Sequence, residues 1–191
     1  MGKVIVMNWM TLDGVIQGVG GEDTRGGFAH GGWGVAYSDG AVAAAMGERM
    51  GGSHAWLFGR RTYDELLASW NAKGGPFKDA LNDTQKYVAS RDPSTELAWP
   101  NSTLVHGDVE GRVAELKRSA AANLVIMGSS VLIDSLMAAN LIDEYLLMIA
   151  PLVLGAGARM FPDGLHRALR LTDVQKTSSG VVIAAYEAET S

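Results

Sequence analysis

The chain has no cysteine, no basic run longer than Arg60-Arg61, and no apolar segment near the roughly 20 residues that a membrane helix needs. The lack of cysteine excludes disulfides, thiolate catalysis and cysteine-based zinc sites. The net charge of −5 argues against a nucleic-acid or anionic-membrane partner. The apolar run Met1–Met7 is too short for a secretion signal. We therefore expect a cytoplasmic protein.

Several motifs of common enzyme classes are also missing. There is no G-x-x-x-x-G-K-[ST] phosphate loop and no G-x-S-x-G nucleophile elbow. Gly155-Ala156-Gly157 is followed by Arg159–Pro162, where a dinucleotide fingerprint needs a third glycine and a helix. The histidines show no paired ligand spacing, so we expect no metal site: His30, His54, His106 and His166.

The 191 residues are 47% hydrophobic, which predicts one folded domain over residues 1–191. Short apolar runs alternate with helical patterns. The predicted strands are Val4–Met10, Ala55–Phe58, Lys86–Ala89, Thr103–Val105, Leu124–Met127, Tyr145–Ala150, Leu169–Lys176 and Val181–Glu187. The predicted helices are Ala41–Met50, Tyr63–Trp70, Glu110–Ala121 and Val131–Ala139. This order is typical of an α/β fold with a mostly parallel sheet, flanking helices and an antiparallel C-terminal hairpin.

Glycine is abundant: it makes up 24 of the 191 residues, roughly 13%, against a usual ~7%. Eight of them lie in the segment Gln17–Gly34, for which we expect no regular structure. Such a long irregular segment inside a domain is usually a functional lid or is disordered. Trp33 lies in this segment, and either anchors it in the core or forms a flat wall for a planar ring.

Two turns have the composition of anion-binding loops. Gly59-Arg60-Arg61-Thr62 and Gly128-Ser129-Ser130 each follow a predicted strand and open a helix. Helix N-termini carry unpaired N–H groups and a partial positive charge, so they bind phosphate. The alternative is that Thr62 and Ser129 only cap helices and the arginines are solvated. Their occurrence on one sheet favours a ligand with several phosphates.

Two aspartates occupy positions where chemistry is possible. Asp13 follows the first strand, and Asp39 precedes the first helix. Either residue is a turn former or an N-cap. A carboxylate with a raised pKa at such a position would instead hold a substrate N–H or relay a proton.

Six motifs occur in this order: Thr11–Ile16, Leu57–Tyr63, Val88–Arg91, Val125–Ser130, Leu141–Tyr145 and Leu152–Phe161. Taken in order, they resemble the dihydrofolate-reductase-like family. The resemblance extends from about Val4 to Glu187 and is closest to the branch with the reductase domain of riboflavin biosynthesis, the bifunctional deaminase-reductase C-terminal domains. The deaminase half is absent, because its signature needs cysteine.

The resemblance implies an NADPH-dependent reductase with hydride transfer to a C=N or C=O carbon. It places the cofactor phosphates and ribose at Gly59, Arg60, Arg61, Thr62, Ser90, Arg91, Gly128, Ser129 and Ser130, and the nicotinamide beside the backbone from Asp13 to Ile16. Asp39 inherits the role of the substrate-binding carboxylate, and we take Asp39 and Asp13 as catalytic candidates and Trp33 as a further substrate-binding candidate. Relatives commonly form dimers, so we expect a homodimer, with the apolar residues of Leu152–Leu154 and Met160-Phe161 near a sheet edge.

The chain also departs from the folate reductases. The segment Leu146–Ile149 lacks the hydroxyl that supports their pterin-binding carboxylate, and Ile133 stands where they carry an aromatic residue. We therefore expect the substrate to be a small planar heterocycle or carbonyl compound other than dihydrofolate. The alternative is a non-catalytic nucleotide- or flavin-binding protein with the same fold.

Overall fold

The apolar runs of the sequence become eight β-strands. The computed structural model describes residues 2–50, 53–119 and 122–189. Its strands are β1 (Val4–Thr11), β2 (His54–Gly59), β3 (Lys86–Ala89), β4 (Ser102–Val105), β5 (Asn123–Ile126), β6 (Glu144–Ala150), β7 (Leu169–Lys176) and β8 (Val182–Ala188). Its α-helices are α1 (Gly40–Met50), α2 (Arg60–Lys73), α3 (Pro76–Asp83), α4 (Val109–Ser119) and α5 (Ser130–Ala138). Across these residues, no helix is both long and apolar enough to cross a membrane.

The described residues divide into two compact units. The first unit contains residues 2–4, 53–119 and 122–141. Its strands follow the order β4-β3-β2-β5, and each neighbouring pair is parallel. Gly59 of β2 lies opposite Ala89 of β3, so the turns after these strands begin side by side. Helix α2 packs on β2 and β3, and α5 packs on β2.

The second unit contains residues 5–50 and 142–189. Here β1 is parallel to β6, while β6 and β8 are antiparallel and β7 completes the hairpin with β8. Helix α1 packs on β6. The predicted fold class, a mostly parallel sheet with an antiparallel C-terminal hairpin, is confirmed.

The structure differs from the sequence-based prediction at several elements. Helix α3 was not predicted, because it has only eight residues, too few for the apolar spacing to stand out, and only one of them, Leu81, is buried. Helix α2 begins at Arg60 rather than Tyr63, so Arg60–Thr62 form its first turn. The end of the third predicted helix, at Ala120 and Ala121, lies outside the described residues; the structure has this helix as α4. The glycine-rich segment, for which no regular structure was expected, contains a short 3-10 turn at Arg25–Gly27, and a second one, Trp33–Tyr37, begins at its end.

Lys86 is a fully buried lysine at the start of β3. Its ammonium donates hydrogen bonds to the carbonyl oxygens of Leu81 (2.6 Å), Thr84 (2.7 Å) and Asn82 (3.2 Å), at the end of α3. The last carbonyls of a helix have no partner within it, so the lysine supplies the missing donor. Desolvation lowers the pKa of Lys86 to about 8, although the charge of Asp83 opposes the shift.

Lys86 should make stability depend on alkaline pH. Because its folded-state pKa of about 8 lies below the ordinary 10.5, the cost of burying the charge is fully present below pH 8 and is relieved as the pH rises towards 10.5. We expect the free energy of unfolding of the wild type, relative to Lys86→Met, to rise by about 3 kcal/mol over that interval. Urea denaturation at a series of pH values measures it. The same comparison with the exposed Lys176→Met should be flat, and a flat result for Lys86 would contradict the prediction.

Candidate functional site

In the first unit, the Ser129 hydroxyl connects the turn after β2 with the turn after β5. It accepts a hydrogen bond from the Gly59 N–H (2.8 Å) and donates one to Thr62 Oγ1 (2.8 Å). Gly59 is the N-cap of α2, and Ser129 is the N-cap of α5. The two predicted anion-binding turns are therefore joined by side-chain hydrogen bonds.

The two turns approach each other so closely that glycine is required. A Cβ atom on Gly59 would lie 2.9 Å from Ser129 Oγ, and one on Gly128 would lie 2.9 Å from Thr62 Cγ2. Gly128 and Ser129 both have left-handed backbone angles, with φ of 67° and 66°. A serine in this region is strained, which is common at ligand-binding turns.

The joined turns expose the N-termini of two helices. The first hydrogen bond inside α5 runs from the Ile133 N–H to the Ser129 carbonyl (3.0 Å), so the N–H groups of residues 130–132 precede it. Helix α2 likewise begins at Arg60. Thr62 Oγ1 is the acceptor in its bond with Ser129, and so it keeps its own proton for a ligand. Hydroxyls and N–H groups at two helix N-termini are suited to phosphate.

The turn after β3 lies beside this pair, because Ala89 is opposite Gly59. The Ser90 hydroxyl contacts Thr95 Oγ1 (2.7 Å) and accepts a hydrogen bond from the Asp92 N–H (3.2 Å). Arg91 is exposed. The structure thus brings the Ser90-Arg91 turn and the Gly59–Thr62 turn to the same edge of the first unit.

Tyr63 connects α2 to the end of the segment between β3 and β4. Sequence reasoning did not select it as a site residue. Its buried phenol accepts a hydrogen bond from the Trp99 N–H (2.8 Å) and contacts Ser102 Oγ (3.1 Å). Its place directly after Thr62 was the only available signal.

Arg60 and Arg61, adjacent in the first turn of α2, differ in their surroundings. Arg60 Nε donates to Asp64 Oδ2 at 2.6 Å, one helical turn away. Both side chains of this pair remain about half exposed, at 41% and 46%. Arg61 is exposed. Arg60 therefore has a carboxylate partner that the prediction did not consider, although the i,i+4 spacing indicates one.

In the second unit, Asp13 fastens two loops together. Its carboxylate accepts hydrogen bonds from the Thr11 hydroxyl (2.5 Å) and from the N–H groups of Gly155 (2.7 Å) and Leu154 (3.2 Å). The Thr11 bond is the largest cause that lowers the pKa of Asp13, to about 2, against a raising effect of burial. Asp13 is thus a carboxylate at neutral pH rather than a proton donor, and the raised pKa considered for it is wrong.

The glycine-rich segment is ordered by Gln17, which sequence reasoning missed. The buried Gln17 amide donates to Asp23 Oδ1 (3.1 Å) and to the Arg25 carbonyl (3.0 Å), and accepts from the Ala158 N–H (3.0 Å). Its backbone carbonyl accepts from Trp33 Nε1 (2.7 Å). Nothing in the sequence distinguishes this glutamine from an exposed one.

Trp33 is buried with Val15, Phe28 and Ala150 in the core of the second unit, and only 8% of it is exposed. Of the two alternatives, this position favours the anchor of the loop. The assignment of Trp33 to substrate binding stays a prediction. Ile16 is half-buried, and its N–H donates to the Ala158 carbonyl (2.9 Å).

Asp39 caps α1 and also contacts the hairpin turn between β7 and β8. Its Oδ1 accepts from the N–H groups of Ala41 (2.9 Å) and Val42 (3.2 Å), and its Oδ2 accepts from Ser179 Oγ (3.2 Å). Desolvation raises its pKa, but these hydrogen bonds and one from Thr177 lower it more, so the net pKa is below the ordinary value. The raised pKa considered for Asp39 is therefore also wrong. The hairpin turn therefore supplies a hydroxyl partner to Asp39, and Leu146–Ile149 contain none.

Known structures identify the class of fold. A putative riboflavin biosynthesis protein from Shewanella sp. PV-4 superposes with a TM-score of 0.71 at 21% identity, and the match covers 100% of both chains. Dihydrofolate reductase from Enterococcus faecalis, complexed with NADP(H), superposes with a TM-score of 0.61 at 15% identity over 99% of this chain and 98% of that one. The molecule has the dihydrofolate-reductase-like fold.

The chain belongs to the RibD C-terminal domain family, whose family model matches residues 2–183. It is also similar to the uncharacterized protein YyaP of Bacillus subtilis (strain 168), with 27% identity over 192 residues, 96% of this chain and 94% of that protein. The resemblance drawn from the sequence motifs is confirmed.

Two substitutions at Ser129 distinguish the effect of its hydroxyl on stability from the effect of its left-handed backbone angle. Ser129→Gly loses both hydrogen bonds but relieves the left-handed strain, whereas Ser129→Ala loses the bonds and keeps the strain. We expect Ser129→Ala to be less stable than Ser129→Gly by about 1 kcal/mol, and both to be less stable than the wild type. Urea denaturation gives the order. If the alanine variant is as stable as the glycine variant, the prediction is wrong, and the φ angle of residue 129 leaves the left-handed region once the hydroxyl is removed.

Asp13 should contribute stability that acid removes. Its folded-state pKa of about 2 lies below the ordinary value of 3.8, so the contribution is present above pH 4 and is lost as the pH falls towards 2. We expect Asp13→Asn to be less stable than the wild type by roughly 1–3 kcal/mol at neutral pH, and the difference to shrink over that interval. The control is Asp163→Asn, a change at an exposed loop carboxylate. A difference for Asp13 that does not change with pH would contradict the prediction.

Proposed function

We propose that this protein is an NADPH-dependent reductase that transfers a hydride to a small planar heterocycle or carbonyl compound. The observation that carries the proposal is the pair of helix-opening turns joined by Ser129 in the first unit. A structure of the same fold, the Enterococcus faecalis dihydrofolate reductase, is complexed with NADP(H).

The residues of the first unit fit the phosphates of NADPH. Gly59 and Gly128, where the two turns approach each other, have no side chain, so a phosphate can reach the backbone at both turns. We propose that the turn Gly128–Ser130 holds the pyrophosphate together with Gly59 and Thr62. Arg60 and Arg61, both at least partly exposed, hold the 2′-phosphate, and Ser90 and Arg91 flank the ribose. NADPH, when bound, supplies the hydride, and the chain supplies position and charge.

In the second unit we propose that Asp39 binds a substrate N–H and that the backbone of Asp13–Ile16 lies beside the nicotinamide. The lowered pKa values of Asp13 and Asp39 make both side chains acceptors at neutral pH. Asp39 therefore orients a substrate donor, Asp13 holds its loop in place, and the proton of the reduced product comes from water.

We also propose that the chain is a single domain over residues 1–191 and is a cytoplasmic homodimer. Val153, in the apolar stretch considered for the interface, is 65% exposed, which supports a contact there. Met160 is fully buried and does not contribute to that surface. Light scattering of the purified chain measures the oligomeric state.

Arg60 provides the test of the cofactor. A charge-assisted arginine–phosphate contact contributes roughly 1.5–3 kcal/mol, so Arg60→Ala should weaken NADPH binding about 10- to 150-fold and leave NADH binding nearly unchanged. Quenching of tryptophan fluorescence measures both affinities. Arg112→Ala is the matched control, because Arg112 is an exposed arginine, ion-paired with Glu115, in the same unit.

If neither dinucleotide binds the wild type below about millimolar concentration, the reductase proposal is wrong. Titration with FMN and with ADP then tests the alternative, a flavin- or nucleotide-binding protein. If NADPH binds, the loss of its absorbance with a panel of planar heterocycles and carbonyl compounds identifies the substrate class.

A further inference from the structure

The Arg60–Asp64 ion pair lies where the proposed function needs an arginine for the 2′-phosphate. Arg60 is in the first turn of α2, and Asp64 is one turn later on the same side of the helix. The Nε–Oδ2 distance of 2.6 Å means that the Nε edge of the guanidinium already has an acceptor. A phosphate that takes the same edge must displace Asp64.

A second carboxylate, Asp92, acts on the same arginine. Its Oδ1 accepts hydrogen bonds from the Ser94 hydroxyl (2.6 Å) and the Ser94 N–H (2.8 Å), which fix the turn after β3. These bonds are the main cause that lowers the pKa of Asp92, and the charge of Arg60 contributes to the lowering. Arg60 is therefore influenced by two acidic groups.

These carboxylates affect the two nicotinamide dinucleotides in opposite ways. The 2′-phosphate of NADPH carries nearly two negative charges at neutral pH, so a nearby carboxylate repels it and competes for the guanidinium. NADH has a neutral 2′-hydroxyl, which can donate a hydrogen bond to a carboxylate. In dinucleotide-binding proteins generally, an acidic residue accepts from this hydroxyl and an arginine accommodates the phosphate.

We propose that Asp64 sets the cofactor preference, by competing with the 2′-phosphate for Arg60 and by accepting a hydrogen bond from the ribose 2′-hydroxyl of NADH. The pair thus gives the protein a smaller preference for NADPH than Arg60 alone would produce, and it uses both dinucleotides. This inference rests on the proposed function. It makes Asp64 a specificity-determining residue.

The test is titration of the full chain and of Asp64→Asn with NADPH and with NADH, followed by tryptophan quenching. Because an exposed ion pair and a nearby like charge each have small effects, we expect NADPH affinity to rise roughly 3- to 10-fold. NADH affinity should fall, because the neutral amide accepts a hydrogen bond from the 2′-hydroxyl more weakly than the carboxylate does. Asp64→Glu, which keeps the carboxylate, should keep the wild-type ratio of NADPH to NADH affinity. Glu115→Gln, which breaks the Arg112–Glu115 pair, should change neither affinity.

Adenosine 2′,5′-bisphosphate and 5′-AMP repeat the comparison without the nicotinamide. If Asp64→Asn changes both dinucleotides equally, or weakens NADPH, the inference is overturned while the proposed function stands. If the wild type binds neither dinucleotide, both are overturned.

Discussion

The hydroxyl of Ser129 is the contact on which the arrangement of the first unit depends. One oxygen atom accepts from the backbone at the start of α2 and donates to Thr62, and so it sets the spacing of two helix N-termini. The glycines at the two turns are consequences of this spacing, because a Cβ on either one would collide with the opposite turn. A phosphate site made of backbone groups needs this fixed spacing, because N–H groups cannot adjust as side chains do.

The second unit holds its loops in place by a different means, with single polar side chains that bridge segments distant in sequence. Asp13 accepts from Leu154 and Gly155, and Gln17 joins the glycine-rich segment to Ala158. A carboxylate that accepts several hydrogen bonds is stabilised in its charged form. The same contacts that order the loops therefore fix Asp13 as an acceptor, and Asp39 follows the same rule at the start of α1.

Much of the fold was predictable because parallel strands buried on both faces are nearly continuous apolar runs. The segment Lys86–Ala89 was predicted with its observed bounds. The strand Leu169–Lys176 was too, although it is antiparallel and mostly exposed, because it is separated from the last strand by the short gap typical of a hairpin. Helix α3 was missed because it buries one residue. The family resemblance was readable from short motifs at the ends of strands, where backbone geometry restricts the residue types. The contact between Asp39 and the hairpin turn was not, since it depends on which loops meet. The Arg60–Asp64 pair follows from i,i+4 spacing within one helix and was overlooked.

The sequence by itself determined the order of apolar runs along the chain, the glycines and hydroxyls at the two helix-opening turns, and the absence of cysteine chemistry. These follow from composition and local periodicity, which need no knowledge of distant contacts. Only the tertiary structure decided that Trp33 is buried, that Gln17 organises a loop, and that the hairpin turn contacts Asp39. The reason is physical: burial and pKa depend on neighbours brought together by folding, and the same side chain has either role until those neighbours are known.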